Sequence, residues 1–115
     1  MSAITTHVLD LALGRPAAGI AVQLERQGPD GTWITLSTRA TDADGRVRDF
    51  HAPGGDSLAA GVHRLTFTLT AYFAARGERG FFPRAALEFE VSDPAQHHHV
   101  PLLLSPYGYS TYRGS

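Results

Sequence analysis

His97-His98-His99-Val100-Pro101-Leu102-Leu103-Leu104-Ser105-Pro106-Tyr107-Gly108-Tyr109-Ser110-Thr111-Tyr112-Arg113-Gly114-Ser115 closes the chain, and its reading decides the fold. An apolar run leads into Ser-Pro-Tyr-Gly, a tight-turn composition, and then into alternating Tyr and small polar residues. This predicts a strand over 97–104, a turn, and a strand over 108–113. Strand geometry points His97 and His99 to one side and His98 to the other, together with Val100, Leu102 and Leu104. If those aliphatics fill a core, His97 and His99 face outward, and His98 brings a polar group inside. The stretch holds three of the six histidines, three of the four tyrosines and an arginine. Chain ends are ordinarily frayed and plain. A tail rich in groups that bind and transfer protons is expected to be tucked against the body.

Upstream, the same period of two recurs. Residues 3–9 put Ile4 and Val8 on one face and His7 on the other. Residues 20–26 present Ile20, Val22 and Leu24 inward; Trp33 to Thr38 is a third strand; Arg46 to Phe50 is a short one after the Asp42-Ala43-Asp44-Gly45 turn. Residues 62–69 turn Leu65, Phe67 and Leu69 inward, and 86–92 turn Leu87, Phe89 and Val91 inward. Asp10 to Gly19, Gln27 to Gly31, Ala52 to Ser57 and Ser92 to Gln96 are connections. One stretch, Ala71 to Arg76, has helical propensity, and Gly77 closes it. Seven or eight short strands with one short helix predict an all-β fold, an antiparallel two-sheet sandwich.

The 115 residues suit a single domain spanning 1–115, with 43% apolar residues and a formal charge of −1. That balance offers no case for nucleic acid or an anionic membrane. No apolar run approaches the ~20 residues of a membrane span. The first residues lack the basic-then-apolar pattern of a secretory signal, and Arg113-Gly114-Ser115 is not a peroxisomal signal, so a cytoplasmic location is expected. With no cysteine, disulfides, thiol nucleophiles and thiolate metal sites are excluded. Phosphate loops, dinucleotide fingerprints and Gly-x-Ser-x-Gly elbows are absent.

Three imidazoles, His7, His97 and His99, are thus expected on outer strand faces. Alone, an outward His is ordinarily a solvated side chain, and Arg46 alone is a charge after a turn. His51 and His63 have no supporting pattern and are expected at the surface. Periodicity does not say whether the three converge. Three histidines could also hold a zinc ion with an open position, though no His-Glu-x-x-His or matched carboxylate accompanies them.

The ending resembles that of the 5-hydroxyisourate hydrolases, the transthyretin-related proteins of purine catabolism. The matching pieces are His97-x-His99-Val100-Pro101-Leu102-Leu103-Leu104-Ser105, Tyr107-Gly108-Tyr109-Ser110-Thr111 and the terminal Tyr112-Arg113-Gly114-Ser115. Thr6-His7-Val8-Leu9-Asp10 and Thr41-Asp42-x-Asp44-Gly45-Arg46 extend the likeness over nearly the whole chain. The family commonly has Tyr where this chain has His98.

The resemblance implies a transthyretin fold, with eight strands and a short helix after the fifth. It implies a metal-free, cofactor-free enzyme that opens the ring of 5-hydroxyisourate to 2-oxo-4-hydroxy-4-carboxy-5-ureidoimidazoline. It carries His7, Arg46 and His99 over as catalytic residues, and His7, Arg46, His97, Tyr112, Arg113, Gly114 and Ser115 as substrate-binding ones. A histidine titrating near neutrality suits removal of a proton from water, and a fixed guanidinium suits the oxyanion that follows. A homotetramer, a dimer of dimers, is implied as well. Loss or extension of the tail is expected to damage activity more than stability. A small-molecule carrier on the same fold and a zinc protein are the competing readings.

Overall fold

The computed structural model describes residues 3–50 and 58–115. Within them the alternating stretches become β1 (Ile4–Asp10), β2 (Arg15–Pro16), β3 (Ala21–Gln27), β4 (Trp33–Ala40), β5 (Arg46–Val47), β6 (Gly61–Thr68), β7 (Arg84–Val91), β8 (His98–Ser105) and β9 (Gly108–Thr111). The helix α1 (Thr70–Ala74) lies between β6 and β7. One sheet runs β2-β1-β8-β9, with β5 also paired to β1; the other runs β4-β3-β6-β7. Every pairing is antiparallel except that of β1 with β8. These two strands come from opposite ends of the chain, and the other sheet lies between them in sequence, a connection long enough for a parallel pair.

The two sheets bury their inner faces against each other. Ile4 and Val8 of β1, Val22 and Leu24 of β3, Leu65 and Phe67 of β6, and Val100, Leu102 and Leu104 of β8 are almost fully excluded from water. At roughly 25 cal/mol per Å² of apolar surface, this shared layer is the main force holding the sheets together. Burial of alternate residues also fixes register, because a slip by one would turn the aliphatic set to solvent.

Four local readings change. The Asp10–Gly19 connection contains the short strand β2, which pairs with Leu9 and Asp10. The strand expected over 46–50 stops at Val47, and Phe50 is buried without being in a strand. The helix covers Thr70–Ala74, with Gly77 at φ +69° just beyond it. His63, expected at the surface, is fully buried, because its parity is that of Leu65 and Phe67 on the inward face of β6. His51 and the 52–57 connection lie outside the described residues.

Candidate active site

The outer face of the β1–β8 pair gathers the polar residues that the core rejects. In β1 the inward set is Ile4, Thr6, Val8 and Asp10, leaving Thr5 and His7 outward. In β8 His98, Val100, Leu102 and Leu104 are buried, so His97 and His99 fall on the other side. The parallel register sets Thr5 beside His99 and His7 beside Pro101. On the opposite edge of β1, His7 pairs with Arg46 of β5. Beyond β9 the tail returns along β8: Gly114 forms a bridge to His99, its N–H donating to the His99 carbonyl at 2.8 Å. Four segments distant in sequence therefore enclose one cleft of about 420 Å³, lined by Thr5, Thr6, Arg46, Val47, Arg48, His97, His99 and Ser115.

Arg46 owes its place to the preceding turn. The Asp42 carboxylate accepts the N–H groups of Asp44 at 2.9 Å and Arg46 at 3.0 Å, and these bonds hold it below its ordinary pKa. Gly45, at φ +74°, donates its N–H to the Asp42 carbonyl and accepts the Val8 N–H at 2.7 Å. A Cβ at this position would lie 2.4 Å from the Val8 carbonyl oxygen. Only glycine lets the turn press this closely on β1.

Two contacts hold the His99 ring. Thr5 Oγ1 lies 2.8 Å from His99 Nδ1 and 2.9 Å from His97 Nε2. On the other edge, a Cβ on Gly114 would come within 2.5 Å of His99 Cδ2, so the glycine backbone lies flat against the ring. Burial, then the charge of Arg46 and the nearby His97 and His7, push His99 below its ordinary pKa. Burial and Arg46 push His7 the same way. Both rings are therefore neutral at physiological pH, with a lone pair free to accept a proton.

The structure brings Arg46, His97, His99 and Ser115 together around the cleft, with His7 beside it next to Arg46. Tyr112 and Arg113 instead line a second cavity of about 250 Å³, together with Leu87, Phe89, His98 and Val100. Arg113 Nη2 donates to Gln96 Oε1 at 3.2 Å and to the His97 carbonyl at 3.3 Å, which ties the tail down. Tyr112 is exposed. Sequence reasoning did not single out Thr5 or Asp42. Thr5 shared the outward parity of His7, and Asp42 carried the Asx-turn signal. Among the described residues no group of three or more His, Asp or Glu side chains is arranged to hold a metal ion.

A two-sheet sandwich with paired histidines and an arginine on the outer face of its terminal-strand sheet defines a recognisable class. The model of the HIUase/Transthyretin family matches residues 4–114, and the chain belongs to that family. It is 48% identical to the 5-hydroxyisourate hydrolase of Caulobacter vibrioides, over the full length of both chains. The structure of Klebsiella pneumoniae 5-hydroxyisourate hydrolase superposes with a TM-score of 0.82 at 42% identity, covering 97% of this chain and 98% of that one. Sea bream transthyretin in complex with thyroxine superposes with a TM-score of 0.88 at 30% identity, covering 96% and 93%.

Proposed function

We propose that the chain hydrolyses 5-hydroxyisourate to 2-oxo-4-hydroxy-4-carboxy-5-ureidoimidazoline in urate degradation. The observation that carries this reading is the convergence of His99, His97, Arg46 and Ser115 on one cleft, with neutral His7 alongside. In this reading His7 and His99 divide the proton transfers. One imidazole takes a proton from water as the oxygen bonds to the ring carbonyl carbon. Arg46 holds the resulting oxyanion, and the C–N bond breaks as the leaving nitrogen receives a proton from an imidazolium. In this reading His97, Arg46 and Ser115 bind the substrate, while Tyr112, Arg113 and Gly114 hold the tail that carries Ser115 in place; side chains and water suffice for every step, with no cofactor.

The reading takes residues 1–115 as one domain in the cytoplasm; among the described residues no helix is long and apolar enough to cross a membrane. It also takes the working form as a homotetramer, a dimer of dimers. Among the described residues each sheet ends in two edge strands, β2 and β9 in one and β4 and β7 in the other, and β7 and β9 are long enough to pair with a partner's strand. Leu11, Leu13, Phe81 and Tyr107 are exposed. Backbone bonds from Leu11 to Leu104 and from Phe81 to Pro106 draw their segments to one end of the sandwich. An apolar surface of this kind marks a contact site.

The test is the ultraviolet decay of freshly generated 5-hydroxyisourate, with chelator present and the spontaneous decay as control. Acceleration by the wild type, lost in Arg46→Ala and His7→Asn, is expected. No acceleration by the folded protein would overturn the reading in favour of ligand carriage. Unchanged turnover and KM in Arg46→Ala would remove the role given to Arg46.

A further inference from the structure

We propose that Thr5 is a positioning residue that sets the tautomer of His99, leaving its Nε2 bare toward the cleft. This rests on the reading that His99 handles the proton of the attacking water. A threonine hydroxyl has one hydrogen, so it can donate to only one of the two ring nitrogens that touch it. Its neighbours are His97 Nε2 at 2.9 Å and His99 Nδ1 at 2.8 Å. One hydroxyl hydrogen between two ring nitrogens leaves two arrangements of these contacts.

In the first, Thr5 donates to His99 Nδ1 and accepts from His97. His99 then carries its hydrogen on Nε2 and has no lone pair for water. In the second, His99 Nδ1–H donates to Thr5, and Thr5 donates to His97 Nε2. His99 Nε2 is then an unprotonated base. The surroundings favour the second. Thr5 holds the Nδ1 side of the ring and Gly114 packs on the Cδ2 edge. Among the described residues no hydrogen bond engages His99 Nε2, and a hydrogen there would lie in the field of the Arg46 guanidinium across the cleft. A lone pair at that position is instead stabilised by the guanidinium.

The arrangement also gives His97 a task. Its Nε2 must accept from Thr5, so it must carry its hydrogen on Nδ1. The tautomers of His97 and His99 are thus linked through one hydroxyl. The tautomer of a catalytic imidazole is set by the bond its other nitrogen makes, and here that partner is a side chain with a single proton.

The experiment is ring nitrogen NMR on histidine-labelled protein in its native assembly, with kinetics of the same samples. The wild type should show His99 protonated on Nδ1 and bare on Nε2. Thr5→Val, which keeps the shape and removes the hydroxyl, should lose that preference and drop kcat by roughly 10- to 100-fold with KM little changed. Thr5→Ser should restore both. A wild-type His99 with its proton on Nε2 would overturn the proposal, as would a Thr5→Val variant with native tautomer and kcat. A His99→Gln variant with unchanged kcat would overturn the underlying proton-transfer reading, whatever the tautomer. An inactive His99→Gln with the wrong wild-type tautomer would sink the role of Thr5 alone.

Discussion

A side chain at Gly114 would collide with the His99 ring. Its Cβ would overlap His99 Cδ2 at 2.5 Å, so either the ring or the tail must move. Gly114→Ala is expected to lower kcat/KM by on the order of 10²-fold, since a shift of about 1 Å in a reacting group costs that much. The thermal midpoint should move little, because the residue lies at the chain end outside the core. Steady-state kinetics and a thermal melt on one preparation check both halves. The buried His63 and His98 give a second residue-level prediction. Burial is the main cause holding each below its ordinary value of 6.5. His63 feels Arg26 and His98; His98 feels Arg113 and His97. His63 Nδ1 meets the Gly61 carbonyl at 3.1 Å, while His63 Nε2 and His98 Nδ1 are buried with no hydrogen-bond partner among the described residues. Below pH 6.5 the unfolded chain binds protons that the folded chain refuses. Stability therefore falls as pH drops from 6.5 through the lower folded values, by up to about 1.4 kcal/mol per pH unit for each histidine. Urea unfolding from pH 7.5 to 5 should show this slope. His98→Tyr, the residue usual at this place in the family, should make it shallower.

Among the elements, the turn before β5 has the largest effect for its size. Two residues of strand are too short to hold Arg46 by ladder bonds alone. The Asp42 carboxylate and the pressed Gly45 supply the rest. Gly45→Ala places a methyl 2.4 Å from the Val8 carbonyl at a φ of +74°. It should destabilise the fold by more than about 1 kcal/mol, the usual cost where φ is positive. Because Val8 is one residue from His7, KM should rise as well. Chemical denaturation and substrate titration of the variant measure the two effects separately. The strands themselves were legible in the sequence, because alternation needs only local parity. The exceptions are β2, two residues long and too short to show a period, and the end of β5, which stops at Val47 rather than at the expected Phe50. His63 has a similar explanation. Its parity with Leu65 and Phe67 was visible, but its polar side chain argued for the surface and the inward face won.

At the scale of the whole molecule, the open edges of β7 and β9 and the apolar end around Leu13 and Tyr107 bear on assembly. Sedimentation of the wild type should show a tetramer, and Leu13→Glu with Tyr107→Glu should shift it to smaller species with loss of activity. A monomeric wild type at full activity would contradict the assembly. The sequence by itself determined the strand faces, because side-chain parity and apolar burial are properties of each stretch. Likeness of its terminal motifs also pointed to the family. Only the tertiary structure decided that His7, Arg46, His99 and Gly114, drawn from four segments, meet on one outer face. It also sent Tyr112 and Arg113 to a different cavity from Ser115 and set Thr5 between two histidines. The physical reason is register. Which residues of β1, β5, β8 and the tail stand side by side depends on how the two sheets bury their common core, and that energy belongs to no single stretch.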